Sequence, residues 1–214
     1  MGIKFGEAEG KAKKGAEQLA FKDGENTVRL FGDVLPRYIY WVKGKNNKDV
    51  PMECLSFDRE KEKFTNVEKD WVREYFPELK CGWAYAMHGI QDGKVVVVNL
   101  KKKLFEQIKD AAADLGDPTD LESGWDVVFK RTKTGSLAFN VEYTLQVLRC
   151  KPRALSAAEL ALVEAAKPID EVIPRLTSDE QHEFLKKSVL ASSEELPAEV
   201  GNSEPIEDVS DIPY

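Results

Sequence analysis

With 214 residues, of which 42% are hydrophobic and 9% aromatic, the chain is long enough to bury a substantial core without disulfide staples. No stretch approaches the roughly 18 consecutive apolar residues that a membrane span needs. Residues 1–15 mix Lys4, Lys11, Lys13 and Lys14 with Glu7 and Glu9, unlike a secretory signal, so a cytoplasmic location is expected.

The net charge of −7 is unevenly placed. Residues 192–214 hold seven acids (Glu194, Glu195, Glu199, Glu204, Glu207, Asp208, Asp211) and no base, and removing them from 38 leaves 31 acidic against 31 basic residues. Within that neutral body, residues 127–153 carry six bases (Lys130, Arg131, Lys133, Arg149, Lys151, Arg153) against one acid, Glu142. A basic segment and an acidic tail therefore coexist, and the overall charge hides both.

In chain order, residues 1–25 read as a flexible arm. Three short strands follow, Thr27–Phe31, Arg37–Lys43 and Val50–Phe57, separated by turn residues at Gly32-Asp33 and from Gly44 to Asp49. Thr65 with Glu68 suggests a capping box for a helix through Trp71, Val72 and Tyr75 that Pro77 ends. Trp83–His88 and Val95–Leu100 read as strands joined through Gln91-Asp92-Gly93. The second contains Val95-Val96-Val97-Val98, apolar on both faces and hence buried in a barrel.

Leu104, Ile108, Ala111, Ala112 and Leu115 recur at helical spacing, with Gly116 and Pro118 as stops. Beyond them, Trp125–Lys133 and a long strand Leu137–Arg149 are joined at Thr134-Gly135, the second alternating apolar and polar residues. Ser156 with Glu159, and Ser178 with Gln181, suggest capping boxes for two terminal helices. The expected organisation is a mainly β, OB-fold-like barrel over 26–153 with interposed helices, a helical extension over 154–191 and a disordered acidic tail over 192–214.

A single-strand binder needs bases to track phosphates and exposed rings on which nucleobases stack. Arg37-Tyr38-Ile39-Tyr40-Trp41-Val42-Lys43 interleaves both; strand alternation puts Arg37, Trp41 and Lys43 on one face and Tyr38 and Tyr40 on the other. One face must be core, and alternation does not say which. Trp125, Phe129, Lys130, Arg131 and Lys133 repeat the arrangement, with Arg149 and Lys151 on the hairpin partner. Lys101-Lys102-Lys103 stands at the mouth of a helix, where backbone amides favour phosphate.

Enzyme chemistry finds less support. His88 and His182 lie in unrelated contexts, and Asp70 with Glu78 falls in or just after a helix rather than on adjacent strands. Cys54, Cys81 and Cys150 are odd in number and far apart, which fits buried thiols rather than disulfides. With His88 they offer no C-x2-C or H-x3-H pair to anchor zinc, so no metal or cofactor is expected.

The closing residues, Glu207-Asp208 and Asp211-Ile212-Pro213-Tyr214, resemble the acidic tip of bacterial single-stranded DNA-binding proteins, which ends in Asp-Ile-Pro-Phe and docks into partner proteins. Here the last ring is Tyr. Leu100–Phe105, Leu115-Gly116-Asp117-Pro118, Gly124-Trp125-Asp126, Lys130–Gly135 and Asn140-Val141-Glu142-Tyr143 together resemble the core of single-stranded DNA-binding proteins of tailed bacteriophages. The resemblance covers roughly residues 26–153. It implies an OB-fold core, sequence-independent binding of single strands in replication or recombination, and recruitment of partners through Asp211, Ile212, Pro213 and Tyr214. One branch of that family carries a zinc module with clustered Cys and His, which this sequence lacks. Alternative readings are a metal-dependent nuclease using the same basic groove and a strand-annealing recombination protein.

Overall fold

The computed structural model describes residues 17–45, 47–136 and 140–190. In chain order the described strands are β1 (Gly24–Lys43), β2 (Asp49–Glu53), β3 (Phe57–Asp58), β4 (Lys63–Phe64), β5 (Gly82–Gln91), β6 (Lys94–Lys101), β7 (Asp126–Lys133) and β8 (Val141–Leu145). The helices are α1 (Trp71–Tyr75), α2 (Lys102–Leu115), α3 (Ala157–Ala165), α4 (Ile169–Val172) and α5 (Ser178–Leu185). The chain divides into two compact units, whose described parts are residues 17–35 with 84–174, and 36–83 with 175–190. The helices expected to form one extension are shared out: α3 and α4 belong to the first unit and α5 to the second.

The fold is mainly β, built on a sheet whose pairing path runs β6-β5-β1-β7-β8. That path has two ends, so among the described residues the sheet is open, where a closed or nearly closed OB-fold-like barrel was expected. In the first unit, α2 packs against β6 and against β8, the two terminal strands. It also blunts the β8 edge: Gln107 Nε2 donates to the Tyr143 carbonyl at 3.2 Å, and Leu145 N donates to Gln107 Oε1 at 2.8 Å. One side-chain amide thus does for the outer strand what another strand would do.

The apolar stripe of α2 explains this docking. Leu104, Ile108 and Ala111 are buried against Val28, Leu30, Val98, Leu100, Trp125 and Phe129. Gly116 stops the helix at φ +83, and its carbonyl accepts from Trp125 Nε1 at 2.9 Å. Val96 and Val98 join that core, while Val97 packs with Leu35, Ala86 and Ile169 on the other face, which is why residues 95–98 of β6 are apolar on both faces. The 92–93 turn has positive φ at both Asp92 and Gly93, as a two-residue hairpin requires. Gly124 allows the loop after α2 to close on the buried Arg29: a Cβ there would lie 2.4 Å from the Asp120 carbonyl oxygen and 2.8 Å from Arg29 Nη2.

In the second unit β1 pairs with β2, antiparallel, with Trp41 opposite Pro51 and Lys43 opposite Asp49. Tyr40, Val42, Met52, Cys54, Phe57, Val72 and Leu185 form its core. Asp70 caps α1: Oδ1 accepts from Val72 N and Arg73 N, and Oδ2 accepts from Leu55 N at 2.9 Å. Gln181 of α5 is buried, accepting from Trp71 N at 2.7 Å and donating to the Glu53 carbonyl at 3.0 Å.

Several local expectations shift. Gly32-Asp33 is not a reversal; Gly32 takes φ +72 inside one 20-residue strand, so two expected strands are one. The helix cap is Asp70 rather than Thr65, because only Asp70 has both the spacing and a buried second partner. Ser156 with Glu159 forms its capping box, but the second box is Thr177 with Glu180, one residue before Ser178. The strand expected over 137–149 is described only as Val141–Leu145; residues 137–139 lie outside the described residues, and Val147–Arg149 is a 3₁₀ turn. No helix among the described residues is long and apolar enough to cross a membrane.

Candidate nucleic-acid interface

The β7–β8 hairpin of the first unit carries the basic segment. Residues opposite one another in an antiparallel pair share a face. Lys130 sits opposite Glu25 of β1 and Thr144 of β8, whereas Arg131 sits opposite Tyr143 and shares its face with Phe129 and Lys133. The bases therefore divide over both faces of the sheet.

Several of them already hold acids. Arg131 is ion-paired with Asp23, Lys133 approaches the same carboxylate at 3.6 Å, and Arg149 is ion-paired with Glu25. Lys130 and Lys151 are exposed and have no ion pair among the described residues. Arg153 is structural: it bridges Asp126 at 2.7 Å and Glu159 at 2.8 Å, and its bond to Glu159, with those from Ser156, holds the Glu159 carboxyl down at about 2.

The rings of this segment are not available. Trp125 and Phe129 are completely buried, and Phe129 meets Phe21 edge-on at 4.9 Å. Neither presents a face on which a base could stack, because both fill the space between α2 and the sheet. The lysine triplet does stand at the start of α2, where no side chain caps the helix and no acid occupies the first turn. Lys101 lies 5.6 Å from the Tyr143 ring, Lys102 is 3.9 Å from Glu106, and Lys103 is 2.6 Å from Glu142, all at the surface. Surface pairs of this kind contribute ~0 to 1 kcal/mol and exchange readily for phosphate.

The β1–β2 ribbon of the second unit differs. Tyr38 and Tyr40 turn into the core, Tyr40 donating to Cys54 Sγ at 3.4 Å. Trp41, on the opposite face, is 59% exposed. Lys43 reaches Asp49 at 2.5 Å and remains largely exposed. Arg37 is half-buried, and burial holds its guanidinium below the usual value. The connecting loop adds the exposed Lys45 and Lys48, which the sequence reading passed over as turn residues. It also passed over Phe64, 50% exposed on β4, because its neighbours Lys61-Glu62-Lys63 resemble a solvated linker.

The residues considered for catalysis have other partners. The Asp70 carboxylate is committed to three backbone amides. His88 stacks on Phe31 and bonds the Lys167 carbonyl at 2.8 Å, and His182 stacks on Trp71 at 3.7 Å and meets the Tyr75 hydroxyl at 2.6 Å. All three cysteines are free thiols; a hydrogen bond with Cys81, together with burial, pushes Cys54 up, and the same bond lowers Cys81. Among the described residues no three His, Cys, Asp or Glu side chains come together as metal ligands would. Asp211, Ile212, Pro213 and Tyr214 lie outside the described residues.

No family model matches the chain, and no solved structure matches it. The chain is similar to the probable ssDNA-binding protein of Escherichia phage T5. The two are 31% identical over 160 residues, which is 68% of this chain and 60% of that protein. The match therefore leaves two fifths of the phage T5 protein without a counterpart in the aligned region.

Proposed function

We propose that this chain binds single-stranded DNA without sequence preference and serves phage DNA replication or recombination. The observation that carries the reading is Trp41, an indole more than half exposed on a ribbon flanked by Lys43, Lys45 and Lys48. Similarity to a phage protein named for single-strand binding supports it. In this reading Trp41 stacks on a base while Arg37 and Lys43 in one unit, and Lys101, Lys102, Lys103, Lys130, Arg131, Lys133, Arg149 and Lys151 in the other, contact phosphates. Such contacts position a strand without reading its sequence. An OB-like barrel is the fold class this function favours.

The acidic tail has two roles in the proposal. Its seven acids compete with DNA for the basic side chains, and Asp211-Ile212-Pro213-Tyr214 docks into replication or recombination proteins. A titration of labelled dT and duplex oligonucleotides at two salt concentrations tests binding. Affinity for dT should exceed that for duplex and fall with salt by ~0.7 in log-log slope per phosphate neutralised. Removing 192–214 should tighten dT binding, most at low salt where screening is weak. No binding to dT at low salt would end the proposal, and Mg²⁺-dependent degradation of the strand would replace it with the nuclease reading.

A further inference from the structure

The second unit holds a four-ring cluster around Phe64. Tyr38 lies 4.8 Å from Phe57, 4.8 Å from Phe64 and 4.4 Å from Trp83, and Phe57 lies 5.4 Å from Phe64 and 5.2 Å from Trp83. Phe57 and Phe64 are directly opposite in the β3–β4 pair, yet the first is 1% and the second 50% exposed. The cluster thus has an inner ring and an outer one, the outer ring held in place by its neighbours.

A single half-exposed phenylalanine needs no explanation. This one combines three features. Its orientation is fixed by packing, so stacking on it would freeze little side-chain motion. Val67, 84% exposed, is a second uncovered apolar residue, three positions later in the sequence. The surrounding sequence offers the exposed Lys63 next to Phe64 and Lys80 close to Trp83, cations of the kind that hold a phosphate beside a stacked base.

We infer that Phe64 is a second stacking platform for an unpaired nucleobase, backed by Tyr38, Phe57 and Trp83. It rests on the single-strand reading above and deepens it. Strand alternation places Tyr38 and Trp41 on opposite faces of β1, so the Phe64 platform and the Trp41 platform are separate sites. A bound strand engages them through different nucleotides.

The bland alternative is that Phe64 is only a cover for Phe57. Phe64→Leu keeps an apolar cover and removes the aromatic face, while Phe64→Trp keeps both, so full-length variants can be compared on a dT oligonucleotide and an abasic oligonucleotide of equal length. Phe64→Leu should weaken dT binding roughly 5- to 100-fold, leave abasic binding and salt dependence unchanged, and be rescued by Phe64→Trp. Thermal melting of each variant verifies that the compared proteins are folded. Equal weakening on both oligonucleotides, or no change on either, overturns the inference while wild-type binding to dT keeps the wider reading intact. A wild-type protein that does not bind dT overturns the wider reading itself, and the platform falls with it.

Discussion

The β7–β8 hairpin and the β1–β2 ribbon have similar sequences, each interleaving Lys or Arg with aromatic residues, and the fold uses them in opposite ways. In the hairpin and the residues flanking it the rings of Trp125 and Phe129 are core, and Arg131, Lys133 and Arg149 face Asp23 and Glu25. In the ribbon one ring, Trp41, is left at the surface beside lysines, and Tyr38 and Tyr40 supply the core instead. The hairpin is flanked by a helix that must be covered, so its aromatic face is consumed by α2; the ribbon is paired with a short strand, β2, which leaves its outer face open. A basic and aromatic stretch is therefore a nucleic-acid signal only where the fold leaves a ring uncovered.

The comparison predicts its largest contrast in a pair of alanine variants. Phe129→Ala removes a fully buried ring packed on Phe21 and α2, and should lower stability by ~3 to 5 kcal/mol in chemical denaturation. The fraction that remains folded should bind dT with wild-type affinity. Trp41→Ala should do the reverse, weakening dT binding by ~1 to 3 kcal/mol with little change in the denaturation midpoint. A stability loss without an affinity loss for Trp41→Ala would remove the distinction between the two segments.

How far each segment could be read beforehand follows from the range of the interactions involved. α2 was legible because Leu104, Ile108 and Ala111 and the Gly116 stop are local, and Ser156 with Glu159 was legible for the same reason. The parity of residues 37–43 was also legible, since it follows from the pleat. Which parity faced inward was not, because that is decided by Met52, Val72 and Leu185, residues from elsewhere in the chain. The ion pairs of the hairpin were hidden by distance: Glu25 and Arg149 are 124 residues apart in sequence. The offset between Ser178 and Thr177 has a different origin, since both can cap and each has a suitable third neighbour, so Gln181 was free to be buried against α1.

The acids on the hairpin give the next test. If Arg131, Lys133 and Arg149 contact phosphate, Asp23 and Glu25 compete with the strand for them. The double variant Asp23→Asn, Glu25→Gln should then tighten dT binding at low salt by ~1 kcal/mol, since it removes surface pairs of roughly that combined value. Stability should fall by less than that. Unchanged affinity with an unchanged salt slope would mean that the hairpin pairs are structural and that the phosphate track lies elsewhere.

The smallest expected effect separates two lysines of one strand. Lys130 is exposed, opposite Thr144 and Glu25, and Glu25 is already engaged by Arg149. Nothing among the described residues neutralises it, so a phosphate gained there displaces only condensed counterions. Lys130→Gln should reduce the log-log salt slope on single strands by ~0.7 and weaken dT and mixed-sequence oligonucleotides alike. Lys133 stands 3.6 Å from Asp23, which also holds Arg131. That carboxylate already neutralises part of the Lys133 charge, so removing Lys133 forfeits less than a full phosphate contact. Lys133→Gln should accordingly change the slope by less than Lys130→Gln, and the gap should close in the Asp23→Asn background. Equal slopes in both backgrounds would show that Asp23 does not govern the hairpin's charge.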